Sequence, residues 1–411
     1  MLVDYMDLAG TEVINSARAH AYATASGIPI TCEPCPEVPA AVGDMPYWDL
    51  RQDPAPWFDP AIRESSGFLG VLGQTVAGFD TNPIERTPSQ LVGDGAALGV
   101  LRRTHREIAY TVLLVAADPA ALSYGLEWLA SALRGSACTA CAGDEMCVFA
   151  SCPIDGTSEL RHLYDVGLLD GPQVTATLRL TGGGLIATVT FALAAGRPFI
   201  FREPLAASAD WVDLGEGLVV DLDPDTVHDY CQDPPPCTQD PDCPPPALPP
   251  RPPVPVDACY PTGVATFRAQ VVSLGVLDQP QWLETVPLIE VMTGTSAIRR
   301  LVLRGWANPQ GIDCFDVSDP CQACWHITIP YLPARSILTV DGRLQRAVVE
   351  CPSQVGTATD TPTLYGPQGT SFTWPVFPCP SGLCVEVMAM ADTVAPDARA
   401  RVQLIPRSDM G

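Results

Sequence analysis

Residues Pro234–Pro255 read PPPCTQDPDCPPPALPPRPPVP, with proline at more than half of the positions. Proline fixes φ and donates no backbone hydrogen bond, so this run forms neither a helix nor an inner strand. Two readings fit it: an extended polyproline spacer rising about 3.1 Å per residue, or a loosely ordered surface loop. Cys237 and Cys243 lie inside the run, and Cys231 and Cys259 flank it, placed to pin it down. Either reading divides the chain into a front domain at 1–223, a Pro/Cys-rich linker at 224–258 and a back domain at 259–411. Each domain is long enough for its own core.

The composition permits two cores, with 47% hydrophobic and 17% charged residues. No run of 18 apolar residues is present, so no transmembrane helix and no membrane insertion are expected. The opening MLVDYMDLAGTEV has neither a basic n-region nor an apolar h-region, and no secretory signal is expected. Sixteen cysteines are nevertheless more than a reducing cytosol holds as idle thiols. Three explanations fit: assembly in a cytoplasm followed by release to an oxidising exterior, zinc, or buried reduced core residues. The net charge is −24, and all 23 basic residues are arginine. The absence of lysine removes Schiff-base chemistry and the P-loop lysine. So acidic a chain repels nucleic acid rather than binding it.

Outside the linker the patterning is mainly β. Val3–Tyr22 reads as a strand pair or a helix, and FLGVLGQTVA (68–77) as a strand or short hairpin. Glu107–Ala116 is a buried strand by its β-branched and apolar content. Asp118 is then an N-cap and Pro119 the first helical residue. Leu122, Leu126, Leu129 and Leu133 recur at three and four residues with Gly135 beyond, which predicts a helix over 119–134. Val174–Leu180 and Leu185–Leu193, separated by glycines, predict a hairpin, followed by a strand at Phe199–Phe201. WVDLGEGLVVDLDPD (211–225) predicts a further strand. The front part is therefore α+β with one clear helix.

Beyond the linker every candidate element is a strand: Gly263–Val272, Pro287–Met292, Arg299–Trp306, Trp325–Ile329, Ser336–Val340, Ala347–Glu350, Ser371–Pro375, Cys384–Met390 and Ala400–Ile405. Asp341-Gly342 is a two-residue hairpin signal. Strands at this spacing without intervening helices predict a β-sandwich or jelly roll.

The motifs that carry chemistry are few. Cys32 and Cys35 bracket Glu-Pro in a Pro-rich loop rather than opening a helix, which favours a disulfide or surface thiols over a redox site. Cys138, Cys141, Cys147 and Cys152 are close enough for zinc, yet their spacing departs from paired zinc knuckles and favours disulfides. Cys314, Cys321 and Cys324 share a loop, Cys379 and Cys384 bracket a turn, and Cys351 is a further candidate for pairing. Asp221, Asp223 and Asp225 lack the glycine and glutamate of a calcium loop, so they read as a solvated acidic lead-in. GDGAALG (93–99) lacks dinucleotide spacing and reads as a turn. The aromatic loop MPYWDLRQDPAPWFDP, with Trp48, Trp57 and Phe58, is expected to pack on a neighbouring surface or subunit. The five histidines are scattered and no nucleophile or zinc-protease motif is present, so no enzyme activity, metal or cofactor is expected.

RTPSQLVGDGAALGVLRRTHREIAYTVLLVAADPAALSYGLEWLASALRG and VTFALAAGRPFIF resemble the ring-forming N-terminal part of distal tail proteins (Dit-like minor tail proteins) of long-tailed actinobacterial phages. VPLIEVMTGTSAIRRLVLRGWANP, CWHITIPYLPARSILTVDGRLQRAVVE and FTWPVFPCPSG resemble the family's C-terminal galectin-like or carbohydrate-binding-module-like sandwich. The cysteine clusters and the proline linker depart from simpler members.

The resemblance implies a structural virion protein at the tail tip, made in the host cytoplasm and released by lysis. Copies would form a ring, commonly a hexamer, joining the tail tube to the hub or baseplate. Its implied partners are the tail tube, tail hub and tape measure proteins and the receptor-binding or baseplate proteins; DNA would pass through the lumen without binding. The competing expectation is a carbohydrate-binding adhesin using Trp306, Trp325, Tyr331 or Trp374.

Overall fold

The computed structural model describes residues 2–31, 33–44, 47–135, 143–153, 160–180, 183–205, 210–222, 265–275, 279–280, 282–308, 314, 323–351, 362–366, 371, 374–377 and 382–410. It is mainly β, and it divides into two compact units: Met1–Glu203 with Pro406–Gly411, and Pro204–Ile405. The division thus falls ahead of the proline-rich stretch, and the linker at 224–258 lies outside the described residues.

In the first unit β1 (Tyr5–Leu8) and β2 (Thr11–Asn15) pair through a turn in which Ala9 and Gly10 both take positive φ. Helix α1 (Ser16–Ala25) starts directly behind them, its N-cap being Asn15, whose side chain accepts the Arg18 N–H. Val3–Tyr22 is therefore a strand pair followed by a helix. A single turn, α2 (Val38–Ala41), and β3 (Phe68–Ala77) come next. Four short strands follow: β4 (Ile84–Glu85), β5 (Pro88–Gln90), β6 (Ala96–Leu98) and β7 (Arg102–Arg103). They lead into β8 (Arg106–Ala116).

Helix α3 (Pro119–Ala132) begins where Asp118 Oδ1 accepts the N–H groups of Ala120 and Ala121, and Gly135 takes φ +68° just beyond its end. Strands β9 (Asp144–Phe149), β10 (Leu160–Arg179), β11 (Leu185–Ala195) and β12 (Ile200–Phe201) complete the unit.

Strands β3, β8, β11 and β10 form an antiparallel sheet, with the β8–β11 ladder in unbroken register from Leu185↔Ala116 to Ala195↔Arg106. The first residues of β10 belong also to a second set of strands, β2–β1–β9–β10–β12. The chain end pairs onto β12 there, as Ile200↔Ser408 and Phe201↔Arg407. Strand alternation turns Ile108, Tyr110, Val112 and Leu114 of β8 into the core beside Val189, Phe191 and Leu193 of β11. Helix α3 adds Leu122 and Leu129, with Leu133 just beyond it. Gly125 gives the Phe68 ring its place against α3, because a Cβ there would lie 2.3 Å from that ring. Trp57 packs edge-on against Phe68 and Trp128 at 5.2 and 5.3 Å. Its indole donates to the Phe68 carbonyl at 2.9 Å. Of the two expected packing partners for the aromatic loop, Trp57 thus takes a neighbouring surface within its own unit; Trp48 is 64% exposed.

The second unit is a β-sandwich. The stretch predicted as one strand over 211–225 is two, β13 (Val212–Asp213) and β14 (Leu218–Leu222), separated by a 3-10 turn at Leu214–Glu216; Asp223 and Asp225 lie outside the described residues. Gly215 and Gly217 each sit against backbone where a Cβ would come within 2.7 Å, and the chain changes sheet at this point.

The later strands are β15 (Ala265–Leu274), β16 (Glu284–Met292), β17 (Ile298–Asn308), β18 (Trp325–Leu332), β19 (Ile337–Asp341), β20 (Arg346–Glu350), β21 (Gly382–Met390) and β22 (Arg399–Ser408). One sheet runs β14–β15–β21–β17–β18 and the other β22–β16–β19–β20, with β13 on β22. Leu301, Leu303, Ile327 and Val385 of the first interleave with Ile289, Val291, Val340 and Val402 of the second.

Two local expectations are corrected. Ser371–Pro375 is no strand among its described residues; the chain pairs instead at Phe377, by a single bridge to Thr285. The Asp341-Gly342 signal closes a four-residue turn, with Asp341 opposite Arg346. Asp341 Oδ1 accepts the Arg343 and Leu344 N–H groups, and the Arg343 guanidinium grips the same carboxylate. That local pair outweighs the tighter turn.

On the outer face of the first sheet Arg304 stands opposite both His326 and Glu386. Burial and the Arg304 charge hold His326 down at about 4. An unfolded His326 takes up its proton near the ordinary value of about 6.5. The folded state therefore loses stability relative to the unfolded chain as pH falls from about 6.5 towards 4. His326→Gln is expected to remove this component, so that the wild-type advantage in melting temperature shrinks across that window; a constant difference would refute it. Gly305 faces Trp325, where a Cβ would lie 2.3 Å from the indole ring. Gly305→Ala is expected to lower stability by about 1–3 kcal/mol in urea unfolding, and an unchanged midpoint would show that the ring has room.

Candidate assembly surface

Residues 83–104 leave the body of the first unit as a two-stranded ribbon. Its ladders are Ile84↔Arg103 and Glu85↔Arg102, then Pro88↔Leu98, Ser89↔Ala97 and Gln90↔Ala96. The Gly93–Gly95 glycines shape the tip, where Leu91 N–H reaches the Gly95 carbonyl and Gly95 takes φ +99°. Every residue of the four strands is exposed, and so are Leu91, Val92, Val100 and Leu101 beside them. A lone two-stranded ribbon is marginally stable in water. Apolar side chains gathered on such a surface mark a place that another surface covers.

The root of the ribbon is held by one buried charge. Arg106 opens β8 at a position where the alternation calls for an apolar residue, and it is 1% exposed. Its Nε and Nη2 donate to the Pro198 carbonyl at 3.0 and 2.9 Å. Nη1 donates to the carbonyls of Gly78, Phe79 and Thr81 at 3.2, 2.6 and 2.7 Å, and Nη2 also to that of Asp409 at 2.6 Å. Burial pulls the Arg106 pKa down against the raising charges of Asp409 and Asp80, yet guanidinium remains charged. Arg103 adds a bidentate pair to Asp409 at 2.9 and 3.1 Å. The Phe199 ring lies beneath the Arg407 and Arg103 guanidiniums at 3.8 and 5.2 Å.

A second open surface is the far part of β10. Strand β9 leaves it at Val166↔Asp144. Over 167–179 the edge on that side has no partner strand among the described residues. Leu169, Val174 and Leu178 are exposed along it. Pro172, Asp170 and the register shifts on either side of Asp170 blunt the edge against indiscriminate pairing.

The residues singled out from sequence are dispersed. Cys35 is bonded to Cys152, and Cys314 to Cys384. Of the four-cysteine cluster for which disulfides were expected ahead of zinc, Cys152 is bonded to Cys35 and Cys147 keeps a thiol. Cys324 and Cys351, both candidates for pairing, are thiols as well, while Cys384 is bonded to Cys314. Cys32, Cys138, Cys141, Cys231, Cys237, Cys243, Cys259, Cys321 and Cys379 lie outside the described residues.

Of the aromatics proposed for sugars, Trp306 and Trp325 are buried, Trp306 against the Cys314–Cys384 bridge, so neither offers a face to a glycan. Tyr331 is exposed and Trp374 half-buried. GDGAALG, which reads in sequence as a turn, is the tip and return of a ribbon that the sequence does not announce. The flanks IERTPSQLV (84–92) and AALGVLRR (96–103) carry no apolar–polar alternation that would announce strands.

No protein-family model matches the sequence, and no curated protein matches it. Among solved structures the chain is similar to the crystal structure of Dit from phage SPP1, described as a paradigm of the hub adsorption apparatus in phages infecting Gram-positive bacteria. Identity is 10% and the TM-score 0.36, over 84% of this chain and 94% of the other.

Arg106→Met would leave a cluster of inward-facing carbonyls without donors. It is expected to cost about 3 kcal/mol and to open 78–105 to limited proteolysis. A variant as stable and as protease-resistant as the parent would overturn the assigned role.

Proposed function

We propose that this chain is a structural protein of a phage tail tip, a Dit-like protein whose first unit associates with further copies of itself into a ring. The observation that carries the reading is the ribbon 83–104, an exposed β-element with six large exposed apolar side chains and a root anchored by Arg106. Its occupant is a second copy of the same chain. The unpaired edge of β10 offers backbone donors and acceptors to a ribbon arriving from a neighbour. Ribbon and edge are different surfaces, so the contact is head-to-tail, and such contacts close into rings when the rotation allows. The resemblance in sequence points to six copies.

In this reading the ring lies between the tail tube and the hub or baseplate, around the passage occupied by the tape measure protein. The sandwich is the docking module for receptor-binding or baseplate proteins. The chain is made in the host cytoplasm, of an actinobacterium by its sequence style, and becomes part of the virion. The net charge of −24 suits a lumen through which DNA slides without adhering.

Native mass measurement of the full chain tests the proposal. The expected result is a species of about six times 43.7 kDa, seen as rings by electron microscopy. Replacing 83–104 by a two-glycine turn is expected to give a folded monomer. A wild-type monomer, or an oligomer indifferent to loss of the ribbon, would sink it.

A further inference from the structure

Three neighbouring strands of the first unit bring unlike ligand-type side chains into one row. On the β1–β9 ladder Asp7 stands opposite Cys147, and on the β9–β10 ladder His162 stands opposite the same Cys147. Directly opposed residues project to the same face of a sheet. Glu145 lies two residues before Cys147 on β9 and shares that face.

The side chains meet: Cys147 Sγ is 3.3 Å from His162 Nδ1, which is 2.7 Å from Glu145 Oε1, and Sγ is 3.8 Å from the same oxygen. In a tetrahedral zinc site with bonds of 2.0–2.3 Å, neighbouring ligand atoms lie about 3.3–3.8 Å apart. The two sulfur separations already fall in that range. The nitrogen–oxygen pair needs to open by about half an ångström. The Tyr164 ring lies nearly parallel to that of His162, with centroids 6.5 Å apart.

We propose that Cys147, His162 and Glu145 bind a divalent transition-metal ion, zinc by the softness of the donor set, with Asp7 or a water molecule as fourth ligand. A nucleophilic reading of the same residues fails on geometry. In a catalytic dyad one imidazole nitrogen faces the thiol and the other the carboxylate. Here a single atom, Nδ1, faces both, so the three ligand atoms converge on a point instead of forming a relay. Burial and the carboxylates of Glu145 and Asp7 also push the Cys147 thiol up to about 12, the opposite of an activated nucleophile. A cation would balance the two carboxylates and take the thiolate, releasing its proton on binding. The second cluster of ligand types, Cys35, Glu37 and Cys152, has its two sulfurs joined as a disulfide and no thiolate to offer.

Such an ion would tie β1, β9 and β10 together, and the proposal is independent of the assembly reading. The test uses the full chain, purified without metal under nitrogen and without reductant, and titrated with Co²⁺ and Zn²⁺. Cobalt is expected to develop thiolate charge-transfer absorption in the near ultraviolet and intense tetrahedral d–d bands. Zinc is expected to bleach both and to raise the melting temperature. Cys147→Ser should lose the charge-transfer band and one equivalent of metal. His162→Gln, which leaves the thiol in place, should lose the tetrahedral bands and the zinc-dependent rise in melting temperature. Overturning results are a wild-type chain that takes up neither ion, or either variant matching the wild type in stoichiometry and spectrum.

Discussion

A guanidinium with almost no solvent contact is the constraint around which the first unit is arranged. An unpaired buried charge costs many kcal/mol, so Arg106 is tolerable only where donors and acceptors match. Its five N–H groups meet carbonyls from 78–81, from Pro198 and from Asp409. Those carbonyls belong to the foot of the ribbon, the exit of the β10–β11 hairpin and the end of the chain. One side chain thus locks three segments far apart in sequence, and it explains why an exposed ribbon can spring from a rigid base.

Strand β10 performs a second kind of joining. Its first residues pair with β9, its later ones with β11, and Val166 pairs with both. Pairing to β9 ends at Val166, where pairing to β11 begins, and the register shifts between Leu168 and Ala176 lie within the β11 ladder. The consequence is an edge that no described strand covers. Exposed sheet edges and exposed apolar ribbons are surfaces that folds commonly cover by pairing or by packing.

The sandwich places polar groups where burial works against them. Arg304 and Glu386 are only 3.6 Å apart at their nearest charged atoms, yet burial lowers the first pKa and raises the second. Desolvation outweighs their attraction, as it commonly does for buried pairs. Next to them the Cys314–Cys384 bridge covers Trp306 on the outer face of the sheet. An aromatic ring that looks like a sugar platform in sequence is, in three dimensions, the lining of a small second core.

Local patterns were enough to determine the mainly β character, the helix beginning at Pro119 behind Asp118, the β10–β11 hairpin and eight of the nine strand positions of the back part. These depend on alternation, caps and glycines, which act over a few residues. The same rules misjudged 211–225, Ser371–Pro375 and Asp341-Gly342, where the outcome turned on which sheet a segment joins or on one arginine–carboxylate grip. The candidate surfaces were scarcely legible at all. That Arg106 is buried, that residues 406–408 return to the first unit, that Cys35 meets Cys152 and that Cys147 faces His162 depend on contacts between segments distant in the chain. Only the packed tertiary structure decides these, because no short-range propensity carries information about which distant partner will be opposite.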